Sequence, residues 1–219
     1  MLKNTKTPRS NLNLETLEDR FALSVASATL ANGTLTIYGD NNESSVRVYE
    51  SWYMYQGGPN IVVKDYVNGF TRSFASSSVQ RLQFVGGAGL DRIVNEVSWL
   101  PLQAWGNGGN DYLEGGNASD ILEGGDGNDT LVGKGMHDQL YGGYGTDRLS
   151  GGEGTDILDG GVGDWCADSL HGGPGMDWFR YDQAPVYSWS NYGYWYISGY
   201  YNRDSPVDLN LYEYDTVYS

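Results

Sequence analysis

Between residues 86 and 180 a large apolar residue returns at a fixed interval. Leu113, Leu122, Leu131, Leu140, Leu149 and Leu158 stand nine apart, and Ile93, Leu170 and Phe179 lie outside that run. Each follows an Asp by two positions, as in Asp129-Thr-Leu131, and side chains at i and i+2 of a strand share a face. The pattern therefore predicts short strands of about three residues joined by six-residue turns. One nine-residue unit makes half a coil and 18 residues a full one, with successive coils stacked at strand spacing, ~4.8 Å.

Upstream, Thr34–Tyr38, Val46–Val48 and Ile61–Val63 alternate or run apolar, so residues 29–85 read as strands. Gly39 to Val46 looks like a worn copy of the unit, with Ser44 in the Asp place. Tyr49, Trp52, Tyr53 and Tyr55 beside Gly57-Gly58-Pro59 predict a turn-bounded hairpin. Residues 181–219 hold 10 Tyr and 2 Trp. They are expected to cover the open end of the sheet, which would otherwise invite edge pairing. A ring platform for sugars is the other reading of that tail.

The repeat can be written column by column. Six units run without a gap from Gly106 to Asp159, beginning at Gly106, Gly115, Gly124, Gly133, Gly142 and Gly151. A seventh, 160–171, carries three extra residues around Asp164-Trp165-Cys166, and an eighth spans 172–180. A ninth unit, 86–94, stands apart, separated by residues 95–105. Position 6 is Asp in every unit: Asp91, Asp111, Asp120, Asp129, Asp138, Asp147, Asp156, Asp168 and Asp177. Glu never takes that place, which implies that a short carboxylate must reach one point. The flanking glycines imply tight turns with φ > 0 positions.

Composition and charge now fall into place. Of 32 Gly in 219 residues, 25 lie within 86–180, where 16 acids face 4 bases. That block carries −12 of the chain's −15 net charge. So much Gly excludes an ordinary helical or α/β domain, and so negative a chain disfavours nucleic acid or anionic membranes as partners. A single Cys, Cys166, excludes an internal disulfide or a thiolate zinc site. No apolar run is long enough for a transmembrane helix.

Asp residues 18 apart stack in two columns: Asp111, Asp129, Asp147 and Asp168 in one, Asp120, Asp138, Asp156 and Asp177 in the other. Two carboxylates one coil apart repel by roughly 3.5 kcal/mol at an effective dielectric of about 20. Several such contacts exceed a small domain's net stability, so a cation between the turns is required. Carboxylates and backbone carbonyls are hard oxygen donors, which select Ca²⁺ over zinc or copper.

The unit Gly-Gly-x-Gly-x-Asp-x-apolar-x resembles the RTX nonapeptide repeat of hemolysin-type calcium-binding proteins, over 86–94 and 106–180. The resemblance implies an all-β fold, a right-handed parallel β-helix or β-roll built from nonapeptide repeats with capping strands at both ends. It also implies several Ca²⁺ ions held by position-6 carboxylates and turn carbonyls, which nominates all nine Asp residues above. Departures occur at Lys134 and Met136, at Ala118, and at the insertion before Asp168. The second column, which holds Ala118, Lys134 and Met136, is expected to be the weaker, the insertion is expected to disturb Asp168 in the first, and Asp91 is expected to stand alone.

Residues Leu14 to Ser24, Leu-Glu-x-Leu-Glu-Asp-Arg-x-x-Leu-Ser, resemble a short extracellular-protein motif found near the start of many planctomycete proteins. With Lys3, Lys6, Arg9 and the small residues Ala26-Ser27-Ala28, this makes 1–28 an export or sorting segment. The organisation expected is thus 1–28 for export, 29–85 as metal-free coils and cap, 86–180 as the calcium-binding β-roll, and 181–219 as an aromatic cap. No His-Glu-x-x-His, Gly-x-Ser-x-Gly or Gly-Lys-Ser/Thr motif occurs, and His137 and His171 occupy different repeat positions, so no catalytic role is expected. The functional reading is a secreted, extracellular protein that folds on binding calcium. A calcium-scaffolded module binding polysaccharide or a cell surface is its first rival, and a β-helix enzyme acting on polysaccharide its second.

Overall fold

The computed structural model describes residues 25–53, 58–161 and 166–180, and the backbone of 183–189, 195–202, 205–206 and 216–218. The expected export segment lies almost wholly outside the described residues, as do the side chains of the aromatic tail. Strands account for nearly all regular structure. β1 (Val25–Ala31), β2 (Thr34–Gly39), β3 (Ser44–Tyr53), β4 (Gly58–Asp65), β5 (Thr71–Ala75) and β6 (Arg81–Val85) precede the repeats. The repeat block supplies β7 (Asp91–Asn95), β8 (Leu102–Gly108), β9 (Tyr112–Glu114), β10 (Ile121–Asp126) and β11 (Thr130–Gly135). It continues with β12 (Gln139–Tyr144), β13 (Arg148–Glu153), β14 (Ile157–Asp159), β15 (Ser169–His171) and β16 (Trp178–Arg180).

From β6 to β16 successive strands fall alternately into two sheets. The first is ordered β1-β2-β6-β8-β10-β12-β14-β16, the second β15-β13-β11-β9-β7-β3-β4-β5. Within the repeats every pairing is parallel and shifts by one coil. Leu122 pairs with Leu140 in the first sheet and Leu131 with Leu149 in the second, 18 residues apart. Strands β7 to β16 thus make a β-solenoid of five coils, as the nine-residue period predicts. The insertion before Asp168 lengthens one step: Leu149 pairs with Leu170 and Leu158 with Phe179. The register survives it.

Inside, the position-8 residues form two facing ladders, both fully buried. Ile37, Phe84, Ala104, Leu122, Leu140, Leu158 and Phe179 line the first sheet. Val46, Ile93, Leu113, Leu131, Leu149 and Leu170 line the second. Each Leu removed from water stabilises by roughly 2 kcal/mol, and the parallel ladder places each against the next.

Residues 29–85 are coils only in part. β2, β3 and β6 join the parallel ladders, and Ser44 pairs with Asp91 as the worn unit suggested. β1 instead pairs antiparallel with β2, and β3, β4 and β5 form an antiparallel meander. The β3–β4 pairing, with Tyr53 opposite Gly58, is the hairpin expected at Gly57-Gly58-Pro59. Residues 95–100 close a coil without any Asp. There Asn95 Oδ1 accepts the Val97 N–H and its Nδ2 donates to the Leu100 carbonyl, with Val97 and Leu100 buried. Beyond the repeats, β17 (Gln183–Trp189) and β18 (Trp195–Asn202) form an antiparallel pair. β19 (Ser205–Pro206) and β20 (Thr216–Tyr218) then add one parallel strand to each sheet.

Candidate metal centre

All nine position-6 Asp residues are buried, none more than 4% exposed. A carboxylate side chain is short enough to turn back into its own turn at the corner of the coil. There it meets backbone rather than water. Oδ1 of all but Asp91 accepts the backbone N–H of the equivalent residue one coil earlier. In one column the N–H groups of Asp91, Asp111, Asp129 and Asp147 donate to Asp111, Asp129, Asp147 and Asp168, at 2.7, 2.7, 2.7 and 2.8 Å. In the other, those of Leu102, Asp120, Asp138 and Asp156 donate to Asp120, Asp138, Asp156 and Asp177, at 2.7, 2.8, 2.8 and 2.9 Å. The two columns expected from the 18-residue period are therefore present, and Asp91 heads the first rather than standing alone.

Each column begins on a neutral residue. Ser44 hydrogen-bonds through its hydroxyl to Asp91 Oδ1. Leu102, in the Asp place of its coil, starts the second column. The carboxylate run thus ends where the apolar cap begins.

The second oxygen is the informative one. Oδ2 of Asp111, Asp129, Asp138 and Asp156 is buried and accepts no hydrogen bond. It lies against the first Gly of its own turn: a Cβ on Gly124 would stand 2.2 Å from Asp129 Oδ2. Only Gly leaves that cradle open. At positions 2 and 4 the constraint is the coil before. A Cβ on Gly127 would lie 1.7 Å from the Gly109 carbonyl oxygen, at φ 137°.

The turns fall into two kinds. Those at 106–111, 124–129, 133–138, 142–147, 151–156 and 172–177 have φ > 0 at positions 2 and 4. Turns 86–91 and 115–120 do not, and there the position-2 N–H of Gly87 or Gly116 donates to Oδ2 of Asp91 or Asp120, both at 2.7 Å. The departures from the pattern thus act differently from their appearance in the sequence. Lys134 and Met136 adopt φ of 86° and 73° and keep the standard turn. The turn holding Ala118 takes the other form. Lys134 also reaches outward to Glu114, at 2.7 Å, while its charge still eases Asp120 downward.

Burial sets the electrostatics. Desolvation, the largest cause, pushes Asp138 up to about 8, and the Asp120 and Asp156 charges add to it. Asp111 rises to about 7 through desolvation and the Asp129 and Asp91 charges, against the bond from the Asp91 N–H. Asp120 and Asp129 rise to about 6, again chiefly by desolvation. Asp91 and Asp156 shift the same way. A row of buried carboxyls that resists ionisation, with orphaned oxygens, is a place that a cation would stabilise.

A further row runs outside the carboxylates, at position 5. Asn110 Oδ1 accepts the Asn128 N–H and Asn128 Oδ1 the Thr146 N–H, both at 2.8 Å. On the opposite turns Ser119 Oγ accepts from His137, and His137 Nδ1 from Thr155. His137 therefore ties coils together, a role its 18-residue spacing from Ser119 and Thr155 could have revealed.

The family model for the RTX calcium-binding nonapeptide repeat, in four copies, matches residues 105–139 and 132–164. Residues 105–164 are thus similar to RTX calcium-binding repeats. No curated protein and no solved structure matched the chain. The RTX block fits its ion on the donor chemistry described above. Among the described residues no three carboxylate, imidazole or thiolate groups converge on one point. One or two carboxylates completed by turn carbonyl oxygens would have to hold each ion, an all-oxygen set suited to Ca²⁺.

Proposed function

We propose that this RTX β-roll is exported and that it folds outside the cell when calcium fills its turns, serving there as a structural exoprotein. The observation that supports this reading is the pair of buried Asp columns. With Asp111 and Asp138 raised to about 7 and 8, a fully ionised, cation-free stack at neutral pH is disfavoured. Bound Ca²⁺ supplies positive charge and Lewis acidity toward oxygen. The chain's own part is to present Oδ2 of Asp111, Asp129, Asp138 and Asp156, with Asp91, Asp120, Asp147, Asp168 and Asp177 completing the columns. The glycines keep the cradle open, and the Leu ladders stack once charge is neutralised. Metal binding is then folding free energy. Export agrees with the affinity of extracellular calcium modules, Kd on the order of 10⁻⁴–10⁻³ M. Among the described residues no helix is long and apolar enough to cross a membrane.

The test is circular dichroism at pH 7.5 during a calcium titration. Strand signal should grow with calcium and vanish in excess chelator. A chain equally structured in chelator would remove the proposal. Assays of the calcium-loaded chain on polysaccharides check the non-catalytic part of the reading, and turnover would overturn it.

A further inference from the structure

The outer face of the first sheet carries a row of aromatic rings that neither the calcium sites nor the core uses. Trp105, Glu123, Tyr141, Asp159 and Arg180 follow one another across the parallel ladder at position 9. Gln103, Ile121, Gln139, Ile157 and Trp178 form the neighbouring row at position 7. Rings thus stand on alternate coils: Trp105, Tyr141 and Trp178. Two coils span roughly 9.6 Å. Trp105 and Tyr141 are half-buried and Trp178 is 40% exposed.

Hydrogen bonding fixes how the Tyr141 ring sits. The Tyr141 hydroxyl donates to Gln139 Oε1 on its own strand, at 3.0 Å, so that ring lies down along the sheet. It leans from the Trp105 row toward the Trp178 row, and the track steps sideways in that direction. Amides border it: Gln83 Nε2 donates to Gln103 Oε1 at 3.3 Å, leaving further donor and acceptor capacity on both groups.

We infer that this face binds a linear, neutral, β-linked polysaccharide, stacked on Trp105, Tyr141 and Trp178 with Gln103 and Gln139 beside it. An extended β-1,4-linked pyranose chain turns over at each sugar and repeats every second ring, at an interval close to two coils. The apolar faces of its sugars stack on aromatic rings while its hydroxyls meet the amides. Glu123 is exposed within the track and the chain is net −15, which sets this face against an acidic polymer. A repeat that spaces calcium sites would thereby space sugar sites also. The inference rests on the calcium-folded β-roll reading.

The experiment uses the full chain in calcium, with cellulose, chitin, xylan and alginate as probes, in pull-down and affinity electrophoresis. Circular dichroism is recorded on the same samples. Wild type should bind at least one of the three neutral β-linked polymers and prefer it to alginate. Trp178→Ala and Tyr141→Ala should each weaken binding roughly tenfold or more, as truncated aromatic anchors do. Trp52→Ala, whose 76%-exposed ring lies on the hairpin instead, should retain binding. Trp105 is half-buried, so the more exposed Trp178 carries the test if Trp105→Ala does not fold. Binding to none of the neutral polymers, preference for alginate, or unchanged binding by Trp178→Ala and Tyr141→Ala would each overturn the inference. A chain that folds with calcium yet binds no glycan rejects this inference alone. A chain without calcium-dependent structure rejects the reading beneath it.

Discussion

Asp138→Asn separates the charge of a column member from its shape. Asn keeps an oxygen for the Asp120 N–H, bonded at 2.8 Å in the native chain, and nearly the same volume. It removes the ionisable group. In the folded chain Asp138 is raised from 3.8 to about 8. A carboxyl raised on folding stabilises fully below its unfolded value. That stabilisation is lost as pH climbs through the interval up to the folded value. Across the whole interval the loss is on the order of 5 kcal/mol, at 1.36 kcal/mol for each pKa unit. This is comparable to the total stability of a small domain, about 5–15 kcal/mol. In chelator, wild type should therefore be more stable near pH 5 than near pH 9, and the variant should lose less over that range. In calcium the order should invert, because the variant has surrendered a ligand charge. Circular dichroism reads the folded fraction at both pH values in chelator, where strand signal should be present near pH 5 and absent near pH 9, and urea unfolding followed by tryptophan fluorescence reads the stabilities in calcium. Wild-type stability that is flat or rising with pH in chelator, or a variant as pH-sensitive as wild type, would refute the reasoning.

Gly127→Ala places a methyl group against the Gly109 carbonyl at a φ of 137°. It should cost about 3 kcal/mol or more, seen as a lower Tm in calcium. Met136→Gly relieves a positive φ of 73° at a residue 54% exposed, and should raise stability by about 1 kcal/mol in denaturant titration. Leu131→Ala opens a cavity in the second-sheet ladder, where Leu131 is fully buried. A loss of about 2–5 kcal/mol is expected in the same assay. Thr155 donates to His137 Nδ1 at 2.9 Å, so His137→Ala should lower Tm by a few degrees, through loss of a hydrogen bond worth about 1 kcal/mol.

Much of the solenoid was legible because its signal is a register, not a propensity. An apolar residue every nine positions and an Asp two before it dictate a face, a turn and a stacking step. They led to five coils and two columns, while the turn residues Gly57-Gly58-Pro59 marked the hairpin. The antiparallel pairings β1–β2 and β4–β5 were not read from the sequence. Apolar runs such as Ile61–Val63 suit either strand direction, and the pairing with a chain neighbour, β1 with β2 across Asn32-Gly33 and β4 with β5, sets it.

The candidate site divides the same way. Residue type and period alone nominated the nine Asp residues and their pairing at 18 positions, since a short carboxylate at one fixed place has few other uses. The tertiary structure decided what each oxygen does. Oδ1 is committed to the backbone of the previous coil, and Oδ2 is left in a glycine-lined cradle, or is bonded where the turn takes its second form. It also reversed the weighting of the departures. Lys134 and Met136 adopt the left-handed backbone because the coils on either side fix their turn, while the turn of Ala118 takes the other conformation. Local sequence sets the strain of a turn, but whether that strain is borne depends on the neighbours stacked above and below it.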